Sequence, residues 1–498
     1  SIVNCHTMSG QQSEDAIPVL SRPDLPGNHT AAIESLLTHY SKTFDNSKPE
    51  FVARAPGRVN LIGEHIDYCG YSVLPMAIDR HILIAVGYPS NARSNQNERS
   101  SSTLRIFHID SSDRPAATVT VEADGVAVDK ENLAWHQYVL CGFRGVQDYL
   151  LKGGGFPQLD INLMVTGDIP SSSGLSSSSA LVVCSALVAM RAYTGSLSLL
   201  DRRGMASLCA TAERYIGTEG GGMDQAISLC ARPGQAMWIN FKSGLETRPV
   251  NLPPGYSWVV AHCGQVLNKA ATDQFNQRVA ECRLAARLLS KNTDSANMRL
   301  VDAQDALGVT QPGAAADLAA QRLRAEPPYS LAEVAAELSV ESSALSAICL
   351  TSEAAKRLAG FQLRQRALHV FNEAQRVLDF RDACGRAGSG DNDENLAARL
   401  GELMNASHQS CSELYNCSCP ELDRLCQICR DVGGALGSRL TGAGWGGCCV
   451  SLVPDSRVEK FLSSVRDAFA GPTGLVGGRP FLAFASSPST GAYLLQLN

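Results

Sequence analysis

The sequence predicts a chain of mixed α and β structure, long enough for two domains, and three observations carry that expectation. Its 498 residues exceed what one ordinary hydrophobic core holds. Alternating runs such as Leu159, Ile161, Leu163 and Val165 lie near runs of helical period such as Met205, Leu208, Cys209, Ala212, Tyr215 and Ile216. The balance of 44% hydrophobic to 18% charged residues is that of a globular enzyme. A net charge of -6 with scattered lysines and arginines leaves no footprint for nucleic acid. No apolar run is read as bilayer-spanning and no secretory pattern opens the chain, so no membrane partner is expected and a cytoplasmic location is. The 17 cysteines, an odd number spread through apolar elements, read as reduced, buried small hydrophobes. Zinc at Cys411, Cys417, Cys419, Cys426 and Cys429 is disfavoured, because Cys426 and Cys429 fall inside a predicted helix.

Taken in order, residues 1–30 lack periodicity and read as a loose tail. A helix at Ala31–Tyr40 precedes a strand from Phe51, which Pro56-Gly57 is expected to turn into a second short apolar segment. Strands are predicted at Arg80–Val86, Thr103–Ile109, Ala117–Val121 and Leu159–Val165, and helices at Asn132–Leu151, Ala180–Met190 and Arg203–Ile216. After residue 231 come strands at Gln235–Phe241 and Trp258–Cys263. A helix containing Thr272, Phe275 and Arg278 then opens a long helical region, with Gln311–Pro328 read as an exposed insert. A loose loop at Gly385–Asn395, helices at Glu421–Val432 and Ser456–Ala470, and strands near Pro480–Ala485 and Tyr493–Leu497 complete the chain.

Four segments point to chemistry. Gly167 to Leu181, G-D-I-P-S-S-S-G-L-S-S-S-S-A-L, links a strand to a helix and would offer backbone N–H groups, hydroxyls and a helix N-terminus to an anion. A serine-rich cap with no ligand is the plainer alternative. Gly63 to Tyr68 sets Glu64, His65 and Asp67 directly after a buried strand, donors and acceptors suited to sugar hydroxyls or to a salt-bridged turn. Gly220-Gly221-Gly222 before Asp224 permits close backbone approach to a ligand, though a helix-start aspartate is more often an N-cap. Gly442 to Gly447 suggests another close approach. Together these point to phosphoryl transfer to an alcohol. None of the nine lysines follows a glycine, so no Walker-type loop exists.

In this order the segments resemble the motifs of the GHMP kinases, the family of galactokinase, homoserine kinase, mevalonate kinase and phosphomevalonate kinase. Gly57 to Tyr68, G-R-V-N-L-I-G-E-H-I-D-Y, resembles the galactokinase signature. More narrowly, His65 to Pro75, Ser171 to Ser179 and Tyr215 to Gln225 resemble the N-acetylgalactosamine kinase branch, with plant galactokinases close by. The resemblance runs from about residue 50 to the end. It implies an α+β, two-lobed GHMP kinase fold: after the tail, a ribosomal protein S5 domain 2-like lobe at 31–231 and a ferredoxin-like lobe with helical inserts at 232–498, the active site lying between them.

It also implies roles. ATP would lie over Gly174, Leu175, Ser176, Ser177, Ser178 and Ser179, with Trp135 as a base shelf, although aromatics at helical spacing are more often core. Ser178 and Glu213 match magnesium positions, and Asp224 the carboxylate that takes or orients the proton of the sugar C1 hydroxyl. Arg58 matches the basic residue that stabilises the transferring phosphoryl group. Glu64, His65, Asp67 and Gly221 match sugar contacts. Phe275 replaces the tyrosine usual in galactokinases, leaving room for an acetamido group. The expected reaction is ATP-dependent phosphorylation of N-acetylgalactosamine at C1, with galactose a weaker substrate. Galactokinase proper is the alternative, and a non-catalytic transcriptional sensor of galactose and ATP the remote one. A monomer binding only ATP and sugar is expected.

Overall fold

The structure is a computed structural model that describes residues 15–90, 99–266, 273–291, 298–326, 328–386 and 393–497. A short strand β1 (Val19–Leu20) and helix α1 (Thr30–Thr43) lead to strands β2 (Phe51–Ile62), β3 (Leu74–Gly87), β4 (Ser101–His108) and β5 (Ala117–Glu122). Helix α2 (His136–Leu151), strand β6 (Ile161–Gly167) and helices α3 (Ser177–Thr194), α4 (Arg202–Ala212) and α5 (Met223–Cys230) follow. Next come the hairpin β7 (Gln235–Asn240) and β8 (Glu246–Asn251), then β9 (Tyr256–His262). The helical region comprises α6 (Gln274–Ser290), α7 (Leu300–Ala306), α8 (Pro312–Arg322), α9 (Leu331–Leu338), α10 (Ser342–Cys349), α11 (Glu353–Lys356), α12 (Leu363–Cys384), α13 (Asp393–Glu413) and α14 (Pro420–Asp431). The chain closes with β10 (Gly437–Thr441), β11 (Cys448–Pro454), α15 (Val458–Ala470), β12 (Leu475–Val476), β13 (Arg479–Pro480), β14 (Ala483–Ser486) and β15 (Tyr493–Gln496).

Two sheets organise these elements. The larger has seven strands in the order β1-β15-β2-β3-β6-β4-β5, and the smaller four in the order β10-β11-β9-β14. Several expectations are corrected. All twelve residues of β2 are buried, and the strand continues through Pro56-Gly57. The missing N–H of Pro56 is absorbed by a register shift against β3 between Pro56 and Arg58, where a bulge tolerates proline inside a sheet. The last strand, β15, pairs with β2, so the chain's end belongs to the first sheet, not to a separate unit formed by 232–498. From residue 15 onward the expected loose tail is instead held in place: β1 pairs with β15, and Ile17 and His29 are buried. Its first 14 residues lie outside the described residues, as do Thr272 and positions 387–392 of the expected loop.

Gln311–Pro328 is no exposed insert, because α8 buries Ala315, Ala316 and Ala319, a stripe of small residues. The strand Glu246–Asn251 and the first half of β3 were not predicted. Helix α3 is long and apolar enough to cross a membrane, contrary to the sequence reading; its residues are mostly buried against the first sheet and α2. Its hydropathy is that of a core helix.

Candidate active site

The serine-rich loop joins β6 to the N-terminus of α3. Ser176, the residue before α3, takes a left-handed conformation at φ 62°, and its buried Oγ has no hydrogen-bond partner. Leu175 does not face the cavity; its fully buried side chain anchors the loop in the core. Above the loop lies a cavity of about 260 Å³ whose lining includes Gly174, Ser176, Ser177, Ser178 and, as apolar wall, Leu133, Trp135 and Tyr138. An unpaired buried hydroxyl at a helix start fits an anion's oxygens. Trp135 thus lines this cavity, its Nε1 donating to Pro115 O at 3.0 Å.

A second, smaller cavity adjoins it, lined by Glu64, His65, Asp67, Tyr68, Glu213 and Phe275 among others. Arg58, Asp224 and Ala443 line both cavities. Asp224 is not an N-cap but the second residue of α5. Its Oδ1 accepts from Arg58 Nε at 2.9 Å, and Arg58 Nη2 lies 2.8 Å from the same oxygen, so the guanidinium grips one carboxylate oxygen and leaves the other to other contacts. Its Oδ2 lies 3.5 Å from Ser179 Oγ. Arg58 Nη1 in turn donates to Gly174 O, and the Arg58 N–H to Leu175 O at 3.2 Å. Arg58 therefore ties the candidate acid to the anion loop.

Ser179 turns inward, donating to Glu213 Oε2 at 2.7 Å, and Gln225 Nε2 bridges the same Ser179 and Glu213. Gln225 was not singled out from sequence, although it directly follows Asp224. Ser178 lines the loop cavity and Glu213 the smaller one, two hard oxygen donors in cavities that Asp224 also lines.

On the small-cavity side, His65 is held at both nitrogens: Nε2 to Ala443 O at 2.8 Å and Nδ1 to Tyr68 OH at 2.8 Å. A carbonyl only accepts, so Nε2 carries the proton and Tyr68 donates to Nδ1. Tyr68 OH meets Tyr415 OH at 2.7 Å, and burial keeps both phenols protonated by raising their pKa values. Phe275 packs with ring centroids 5.4 Å from both His65 and Tyr68 and adds no polar group. Asp67 Oδ2 accepts from the Met223 N–H at 3.3 Å. Gly221 is also needed for packing: a Cβ there would lie 2.3 Å from Tyr68 N and 2.5 Å from Asp67 C. It lets two chain segments touch. The glycine loop after β10 behaves alike, since a Cβ on Gly442 would sit 2.4 Å from Gly174 O and one on Gly447 2.6 Å from Ser173 O.

Matches to known proteins agree with this geometry. Residues 38–88 match the galactokinase galactose-binding signature, 137–232 the GHMP kinases N terminal domain and 393–471 the GHMP kinases C terminal model. The galactokinase of Dictyostelium discoideum is 37% identical over 458 residues, covering 88% of each chain. The chain belongs to the galactokinase branch of the GHMP kinases. The Saccharomyces cerevisiae galactokinase is 33% identical, over 90% of this chain and 91% of its own. In fold, the chain resembles Lactococcus lactis galactokinase complexed with galactose at TM-score 0.69, with 22% identity over 93% of this chain and 99% of that one. The GHMP kinase fold and the sugar-kinase activity expected from the motifs follow.

This kinase's signature is seated by buried charges that the sequence reading missed. Arg439, fully buried on β10, donates to Asn60 O at 2.7 Å and to Glu64 Oε2 at 3.1 Å. Glu64 also accepts from the Gly442 N–H at 3.2 Å. Glu373 on α12 accepts from the Gly63 N–H at 2.9 Å, from Ser407 Oγ at 2.6 Å and from Arg376 Nε at 2.7 Å. Burial pushes its carboxyl up, but Arg376, Arg439 and His369 hold it at about 2. His369 meets Glu64 O at 3.0 Å, and burial lowers its pKa to about 4. The only sequence signal was opposite charge at i,i+3 spacing, Glu373 and Arg376, and it is masked by the many other polar and charged residues of the same helix. Cys426 and Cys429 lie buried on α14, and among the described residues no three His, Cys, Asp or Glu side chains cluster as a metal site.

Proposed function

We propose that the chain transfers the γ-phosphoryl group of ATP to the C1 hydroxyl of galactose, giving the sugar 1-phosphate and ADP. The single observation that carries this reading is the position of Asp224: gripped by Arg58, its carboxylate forms a wall common to the anion-loop cavity and the cavity lined by the galactokinase signature. ATP would occupy the larger cavity, its base against Trp135 and Tyr138 and its phosphates over the loop amides and Ser176 Oγ. The sugar would occupy the smaller, against Glu64, His65 and Asp67. Asp224 then receives or orients the C1 proton, and Arg58 faces the transferring group. A loose transition state needs little activation of the nucleophile, so orientation is the larger contribution. A bound magnesium ion supplies charge neutralisation for the triphosphate. Ser178 and Glu213 would hold it, and this donor set fits an ion that takes few carboxylates besides phosphate oxygens.

Galactose is the preferred acceptor because the similar relatives named above are galactokinases. A second reading, N-acetylgalactosamine as preferred acceptor, rests on Phe275, whose ring offers the sugar no hydroxyl. Side-by-side kcat/KM values decide. A higher value for galactose supports the main reading, a higher value for N-acetylgalactosamine the second. No ADP release with either would point to the sensor.

A further inference from the structure

Two side chains in the wall of the larger cavity are used by none of the contacts above. His108, buried at the end of β4, and Arg114, in the loop after it, both line that cavity, and Trp135 meets His108 edge-on with ring centroids 5.5 Å apart. Their hydrogen bonds do not balance. The Asp110 N–H donates to His108 Nδ1 at 2.9 Å, while Arg114 Nη1 lies 3.1 Å from Nε2. Both neighbours are donors, and a neutral imidazole has one acceptor nitrogen. Burial and the charge of Arg114 keep the ring neutral, with its pKa at about 4. The backbone N–H, two residues on, cannot swing away as a guanidinium can, so Nδ1 accepts and Nε2 carries the proton. Nε2–H and the guanidinium then face each other, donor to donor.

An acceptor atom seated beside the pair, toward which the guanidinium turns away from Nε2, would convert that mismatch into two hydrogen bonds, one of them charge-assisted. Position favours the nucleotide as its source. Arg114 Nη2 donates to Ser171 Oγ at 2.8 Å, at the edge of the anion loop. That loop contains no lysine, and Arg58, the other arginine lining the cavity, is committed to Asp224. We propose that Arg114 and the His108 Nε2–H form an acceptor-binding subsite that closes on one oxygen or ring nitrogen of the bound nucleotide. This inference rests on the reading of the larger cavity as the nucleotide site.

Calorimetric titration of the full-length protein with ADP and with adenosine tests it. Arg114→Gln should weaken ADP by about tenfold, the scale of one hydrogen bond to a charged group, with the galactose KM and the melting temperature unchanged. Arg114→Lys should recover part of the loss by restoring the charge. A loss for ADP but not adenosine assigns the acceptor to a phosphate oxygen; an equal loss for both assigns it to ribose or base. If wild type binds ADP and Arg114→Gln binds it equally well, the subsite does not exist. A wild-type protein that binds no ADP would instead overturn the assignment of the cavity.

Discussion

At Asp224 the two carboxylate oxygens have divided work: Oδ1 is paired with Arg58, and Oδ2 looks toward Ser179 and the junction of the cavities. Replacing it with the isosteric amide keeps the shape and removes the proton acceptor. Asp224→Asn should lower kcat about 10²- to 10⁴-fold while leaving ADP affinity near wild type, as steady-state kinetics and calorimetry would show. Turnover at the wild-type rate would remove Asp224 from the reaction. Phe275 bears on the sugar instead. Its tyrosine variant restores a hydroxyl near the ring-binding face, and Phe275→Tyr should raise the ratio of kcat/KM for galactose over N-acetylgalactosamine by about tenfold. At this scale the sequence was most legible. Arg58 and Asp224 line both cavities and Glu64, His65 and Asp67 the smaller one, because their chemistry is carried by residue type. Leu175 and Gly221 also pack closely, Leu175 by its buried side chain and Gly221 against Asp67 and Tyr68, which residue type alone does not reveal.

Between elements, the contacts that matter join segments hundreds of residues apart. Strand β10 and helix α12 deliver Arg439 and Glu373 to the backbone and carboxylate of the signature that spans the end of β2 and the turn after it. Arg439→Met would leave Glu64 and Asn60 O without their partner in a dry environment. A stability loss of about 3–5 kcal/mol is expected in denaturant unfolding, along with a raised galactose KM. The same stability with normal kinetics would show that the pair is dispensable. The glycine loop after β10 lies against the serine loop with no space for a side chain. Gly442→Ala, at φ 85°, should therefore destabilise the protein and raise the KM for ATP and sugar together, since Ala443 borders both cavities. Glycine density announced a close approach; only the fold showed that the partner is another loop.

The whole molecule responds to acid through histidines that burial keeps neutral. Burial is the main cause that lowers His29, His108 and His369 to about 4. Below pH of about 6.5 the unfolded chain takes up protons on these rings while the folded chain does not, so stability must fall as pH drops from about 6.5 to about 4. Glu373, held at about 2, extends the loss below pH of about 4.5. Melting temperatures across that range should decline, and His369→Gln should flatten the slope. A slope unchanged in that variant would mean His369 titrates alike in both states.

The order of strands and helices, the anion loop, the sugar signature and the class of chemistry were written in local patterns, because periodicity and turn chemistry act over a few residues. What the tertiary structure alone decided is which distant groups meet: β15 completing the first sheet, Arg439 reaching Glu64, Gly442 pressed on Gly174, and Asp224 forming a wall of two cavities. Such meetings are set by how whole elements bury their apolar faces, and no single segment carries that information.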